Sequence, residues 1–165
     1  MPRFVVVLPL VPLVPGDEFT VADWPLHVTL VEPFLTDVAV ADLAAAVSRI
    51  AGSAAPVRAS AGEEAMFGRR RDVPVTLVRD GGELAALRSG ALDALREAGV
   101  DLDRIRARSD FRPHVTRKRH AYLVPGEHIS LDTLALIDMR PAEGAHHRSV
   151  IASWRLGDRD SDVSD

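Results

Sequence analysis

The sequence predicts a mixed α+β fold: two pseudo-symmetric lobes, each a small antiparallel sheet with a helix packed behind it, and a cleft between the sheets. Two observations carry this expectation. Two stretches with apolar residues at helical spacing are embedded among short runs rich in β-branched residues. One signature also occurs twice, about half the chain apart: Trp24-Pro25-Leu26-His27-Val28-Thr29 and Phe111-Arg112-Pro113-His114-Val115-Thr116. A helical stretch follows the first copy and precedes the second, and that mirrored order suits two related lobes.

The elements follow in order. Phe4–Leu8 is an apolar β-strand stopped by Pro9, and Val11–Asp23, with Pro12, Pro15 and Gly16, reads as a loop. Leu26–Val31 carries the first His-Val-Thr, and Pro33 ends it. Thr36 or Asp37 caps a helix running to about Ala51, whose Val40, Leu43, Val47 and Ile50 form one stripe, with Gly52 as its stop. Val57–Ala61 and Val73–Val78 are strands joined by an arginine-rich loop. A second helix spans about Glu83 to Ala98, with Leu84, Leu87, Ala91 and Leu95 on one face and Gly99 closing it. Val100–Asp110 is a charged connection and His114–Arg119 the second motif strand. Ile129–Met139 contains a strand, Pro141–His147 is a polar turn and Ser149–Leu156 the last strand. Residues 1–157 are expected to form a single domain, and 158–165 a disordered acidic tail.

Composition narrows the chemistry. The chain has 165 residues, no cysteine and a formal net charge of −4. The missing cysteine removes disulfides, thiolate zinc sites and a thiol nucleophile together. The apolar run after Arg3 is broken by Pro9, Pro12 and Pro15, is too short to span a bilayer and lacks a small-residue cleavage site, so a cytoplasmic protein without a membrane segment is expected. Basic residues gather at Arg69-Arg70-Arg71 and between Arg104 and Arg119, whereas the tail is acidic. A basic surface near a cleft favours an anionic ligand; a solvated loop is the plain alternative.

The doubled motif is the informative feature. Six His and six Thr in this chain give about 0.2 chance occurrences of His-x-Thr. Two copies with the same central Val and the same aromatic three places ahead are far less expected. On a strand, His and Thr two apart share a face while the Val between them points the other way. Side by side, such strands aim two imidazoles and two hydroxyls into one place. That is the equipment for displacement at a phosphodiester: one imidazole removes a proton, the other supplies one, and Thr29 and Thr116 donate to the phosphate oxygens. Which of His27 and His114 is the base stays open at this point. The scheme needs no cofactor and no metal.

Other readings are weaker. A metal centre would draw on His114, His120, His128, His146 or His147, but His146-His147 has no carboxylate at ligand spacing and Thr is a poor zinc ligand. Gly-x-Ser-x-Gly and Gly-x4-Gly-Lys-Ser/Thr are both absent. A non-catalytic RNA- or nucleotide-binding module of the same fold is the serious competitor.

These residues resemble the 2H phosphoesterase superfamily, in particular its 2′-5′ RNA ligase-like branch, whose signature is two His-hydrophobic-Thr/Ser-hydrophobic motifs. They correspond here to His27-Val28-Thr29-Leu30 and His114-Val115-Thr116-Arg117. The resemblance implies a cyclic phosphodiesterase or ligase acting on RNA 2′,3′-cyclic phosphate ends, 2′-5′ linked or small cyclic nucleotides, with His27, Thr29, His114 and Thr116 catalytic and no obligate protein partner. Arg117 departs from the pattern; on an ideal strand it shares Val115's face and must snorkel outward. The branch often carries a basic residue five places after the second His, here Arg119, whereas strand alternation favours Lys118. Phe67, beside Arg69 in the arginine-rich loop, is the best base-stacking candidate. Core packing is expected for Trp24, Phe34 and Phe111.

Overall fold

The computed structural model describes residues 1–106, 110–140, 144 and 146–158. The chain forms β1 (Arg3–Pro9), β2 (Glu18–Thr20), β3 (His27–Leu35), α1 (Val40–Ser53), β4 (Val57–Phe67), β5 (Val73–Arg79), α2 (Glu83–Glu97), the single turn α3 (Asp103–Arg106), β6 (His114–Thr116), β7 (His128–Leu131), β8 (Thr133–Asp138) and β9 (His147–Arg155). The expected tail at 159–165, Arg108 and most of the expected turn at 141–147 lie outside the described residues.

The mixed α+β class stands. The strands make one antiparallel sheet in the order β2-β9-β8-β1-β3-β6-β5-β4-β7. The two motif strands, β3 and β6, are direct neighbours in it, bridged at Val28–Val115, where the sequence reading placed a cleft between separate sheets. Asp132 alone separates β7 from β8, although these strands stand far apart in the sheet order. The sheet must therefore curl until its β7 edge returns towards β8. Leu131 and Leu134 accordingly join the same apolar core.

That core lies on the helix side of the sheet. Leu43, Val47 and Ala51 of α1 and Leu84, Ala91 and Leu95 of α2 meet Phe4, Val6, Leu8, Val28, Leu30 and Val115. The intervening residues Val5 and Val7 face the other way, into a smaller cluster with Leu13, Ala135, Ile137, Met139 and Val150, against which Phe19 and Trp24 pack. The chain between β1 and β3 covers this part of the opposite face. It was expected to be a loop, but its Glu18–Thr20 adds as an edge strand to β9. A three-residue strand has no readable alternation, so its pairing exists only through β9.

Other boundaries shift for local reasons. Pro33 does not end β3. The β1–β3 register slips between Phe4 and Val6, where Glu32 and Pro33 together oppose Val5. A proline without an N–H is tolerated at such a bulge. α1 begins at Val40 behind Ala39, without a side-chain cap; the expected cap Thr36 instead accepts the Val38 N–H at 3.1 Å. Gly52 lies inside α1, which runs to Ser53. The charged connection contains α3, and Ile129–Met139 contains parts of two strands. α2 ends as expected: Gly99 (φ +107°) lets its own N–H reach Arg96 O and that of Val100 reach Leu95 O. At the other end Asp80 Oδ2 accepts the Leu84 N–H at 2.7 Å.

Candidate active site

The site follows from one buried pair. Val28 and Val115 are fully buried on the helix side. Strand alternation then sends His27, Thr29, His114 and Thr116 to the opposite face. The antiparallel register sets Thr116 across from His27 and His114 across from Thr29. The histidines are thus diagonal neighbours, about 7–8 Å apart for such a pair and somewhat less between Cβ atoms, close enough for two rings to flank one phosphate.

Both rings are held alike. His27 Nδ1 lies 2.8 Å from Pro25 O, and His114 Nδ1 lies 2.8 Å from Arg112 O. A carbonyl only accepts, so each Nδ1 carries the hydrogen and each Nε2 is left for chemistry. The prolines at 25 and 113 help by shaping the chain that presents these carbonyls.

The surroundings of the two rings differ. Trp24 stacks on His27 with centroids 4.1 Å apart, backed by Phe19 at 5.9 Å, and the Arg148 guanidinium lies 5.4 Å from the Trp24 centroid. Burial lowers the His27 pKa to about 4 against the opposing Pro25 bond, and the charges of Lys118 and His114 push the same way. Lys118 follows the end of β6, where its N–H turns back to Ala121 O. Its Nζ donates to Val21 O at 3.1 Å, and burial followed by the Arg148 charge lowers its pKa. Lys118 therefore sits on the His27 side, whereas Arg119 is exposed. Arg117 leaves the core direction: its guanidinium pairs with Glu64 and lies 4.4 Å from the Tyr122 centroid.

On the His114 side the face opens. A cavity of about 430 Å³ is lined by Thr29, Glu32, Phe67, Gly68, Arg88, Asp110, Phe111, Arg112 and His114. The Phe67 and His114 rings meet edge to face with centroids 4.5 Å apart, and the Arg112 guanidinium lies 5.0 Å from the Phe67 centroid. His27 and Thr116 flank this cavity without lining it. Arg69 is exposed in the β4–β5 turn and is not part of the lining. Phe34 is a core residue; Phe111 packs on the core yet also lines the cavity; half-buried Trp24 covers His27.

The sequence reading missed Arg88. Its buried guanidinium donates to Leu30 O at 3.0 Å, pairs with both Glu32 oxygens and lies 4.9 Å from the Phe111 centroid. It satisfies a backbone carbonyl of β3 beyond the short β3–β6 bridge. A signal was present: Arg88 stands at helical spacing between Leu84 and Ala91, a charge on the apolar face. Among the described residues, no group of three or more His, Asp or Glu is placed to hold a metal ion, and no helix is long and apolar enough to cross a membrane.

The chain belongs to the 2′-5′ RNA ligase superfamily, whose family profile matches residues 15–132, an interval that includes both motifs. This places it among the 2H phosphoesterases, whose chemistry is of phosphodiesterase or ligase type. Similar solved structures share the fold. TT0787 of Thermus thermophilus is 20% identical, with a TM-score of 0.66 over 94% of this chain and 98% of the other. E. coli LigT complexed with 3′-AMP is 19% identical, with a TM-score of 0.59 over 94% and 99%. LigT has also been solved with NADP+. No curated protein gave a sequence match to the chain.

Proposed function

We propose that the protein is a metal-independent phosphoesterase acting on RNA 2′,3′-cyclic phosphate ends or on 2′-5′ linked and small cyclic nucleotides. The observation that carries this reading is the β3–β6 pairing, which sets His27 beside Thr116 and His114 beside Thr29, with both rings anchored through Nδ1. The scissile phosphate lies over the pair, with its non-bridging oxygens receiving the Thr29 and Thr116 hydroxyls. His27 is the base. Burial keeps it neutral at pH 7, so its Nε2 takes a proton from the attacking water as the new P–O bond forms. His114 is the acid. It stands at the wall of the cavity that takes the nucleoside and enters the step as the imidazolium, so its Nε2 gives its hydrogen to the ribose oxygen as the old P–O bond breaks and keeps the one on Nδ1. Lys118 adds positive charge beside His27. Phe67 and Phe111 offer faces to the base.

The test is hydrolysis of a nucleoside 2′,3′-cyclic phosphate with chelator present. Wild type is expected to turn over, and His27→Ala and His114→Ala each to lose at least about 100-fold in kcat. Binding without turnover would make the protein a nucleotide-binding module, and loss of activity with chelator would point to a metal site.

A further inference from the structure

The sheet face that carries the motif side chains continues beyond β6, and there it turns basic. His114 pairs with Leu77 of β5, so Leu77 shares its face. Two residues on, Arg79 shares it too, opposite Ser60 of β4, which is in turn opposite His128 of β7. Arg58 stands two residues from Ser60 on the same face. The alternate residues Val57, Ala59, Ala61 and Val78 turn into the core, so the side chains of Arg58, Ser60 and Arg79 take the other side. Arg58, Ser60, Arg79 and His128 line a shallow cavity of about 390 Å³ together with Ala59, Asp80 and Gly81.

This cavity lies towards the end of the sheet where Glu32, Phe111 and Arg112 line the nucleoside cavity, whose other wall, Phe67 and Gly68, comes from the β4–β5 turn. In an antiparallel sheet the end of β3 carrying Glu32, the start of β6 next to Phe111 and the end of β5 carrying Arg79 all lie together. At about 4.8 Å per strand, β5, β4 and β7 stand roughly 5, 10 and 14 Å from β6. Arg79 lies across Gly62, where an added Cβ would come 3.1 Å from its Nε. The missing side chain lets the guanidinium lie over β4. The nearby carboxylates do not close the site. Asp80 Oδ2 holds the Leu84 N–H. Glu63 meets Arg79 only at 3.8 Å, with both side chains about 70% exposed, a contact readily exchanged for a phosphate.

We propose that Arg58 and Arg79, with Ser60 and His128, form a track for the RNA phosphates that follow the reactive end, so that the substrate is an oligonucleotide rather than a free cyclic nucleotide. This rests on the phosphoesterase reading above. An extended single strand leaves the reactive phosphate through the Phe67–Phe111 cavity and passes its next phosphates over β5, β4 and β7.

The experiment compares a short RNA ending in a 2′,3′-cyclic phosphate with the matching nucleoside 2′,3′-cyclic phosphate, using wild type and Arg58→Ala/Arg79→Ala. The variant is expected to lose about tenfold or more in kcat/KM on the RNA and to stay within about twofold on the nucleoside substrate. With two single-strand phosphates released, the log–log salt dependence on RNA becomes shallower by about 1.4. Arg58→Lys/Arg79→Lys retains most of the wild-type slope. Equal losses on both substrates, or an unchanged slope, overturn the track. If wild type hydrolyses neither substrate, the phosphoesterase reading fails separately. The track is then read by fluorescence anisotropy of a labelled RNA ending in a 3′-phosphate: roughly tenfold weaker binding by the Ala variant supports it, and equal binding overturns it.

Discussion

His27 and His114 share a motif, a strand register and a mode of anchoring, yet Trp24 covers only His27. The imidazole is drawn from its ordinary 6.5 to about 4 on folding, and this ties stability to pH. Between those values the unfolded ring binds a proton and the folded ring does not. Stability therefore rises with pH across that window, is undiminished above 6.5 and is fully reduced below 4, by about 3 kcal/mol at most. Urea midpoints measured from pH 7 to pH 4 should fall more steeply for wild type than for His27→Gln; parallel curves would show that burial does not hold the ring neutral. With His27 as base, the acid limb of kcat/KM lies near pH 4–5, well below the range of a solvated histidine. The alternation of His, Val and Thr was readable from the residues alone. The sequence predicts core packing for Trp24, and the ring does pack on the smaller cluster; nothing local says that it also folds back onto His27, three places on.

At the scale of elements, the site depends on a short join. β6 has three residues and meets β3 at one bridge, so Val28 and Val115, packed between sheet and helices, hold the motif faces together. Beyond the bridge Arg88 of α2 takes over, satisfying Leu30 O and neutralising Glu32. Arg88→Leu should therefore cost about 3 kcal/mol, because it leaves a half-buried carboxylate and a carbonyl without their donor. Arg88→Leu/Glu32→Leu should recover part of that loss in urea titrations. If the double variant is as unstable as the sum of the two single ones, the pair is not the unit described. The helix spans were legible from the 3.6-residue repeat and Gly99. Pro33 misled because a bulge depends on the partner strand, and Thr36 because its hydroxyl is used one turn too early.

For the whole molecule, the curl of the sheet brings residues from both motif halves and both long helices into one core. Unfolding should be a single transition. Val57→Ala, in β4, and Leu8→Ala, in β1, are each expected to shift one common midpoint, by about 2 and 3 kcal/mol, seen alike by tryptophan fluorescence and far-UV circular dichroism. Separate transitions would mean that the two halves fold independently. The net charge of −4 hides which charges share the motif face, where Lys118, Arg79 and Arg58 come from three different parts of the chain.

By itself the sequence determined the mixed α+β class, both helices, most strands and the four motif side chains, because periods of 2 and 3.6 residues are properties of neighbouring residues. Only the tertiary structure decided that the motif strands adjoin, that Lys118 comes to the His27 side, that Arg88 and Glu32 wall the cavity and that Trp24 stacks on His27 and not on His114. Those outcomes depend on strand partners, register and the loops that cover a face, which are set by contacts between residues far apart in the chain.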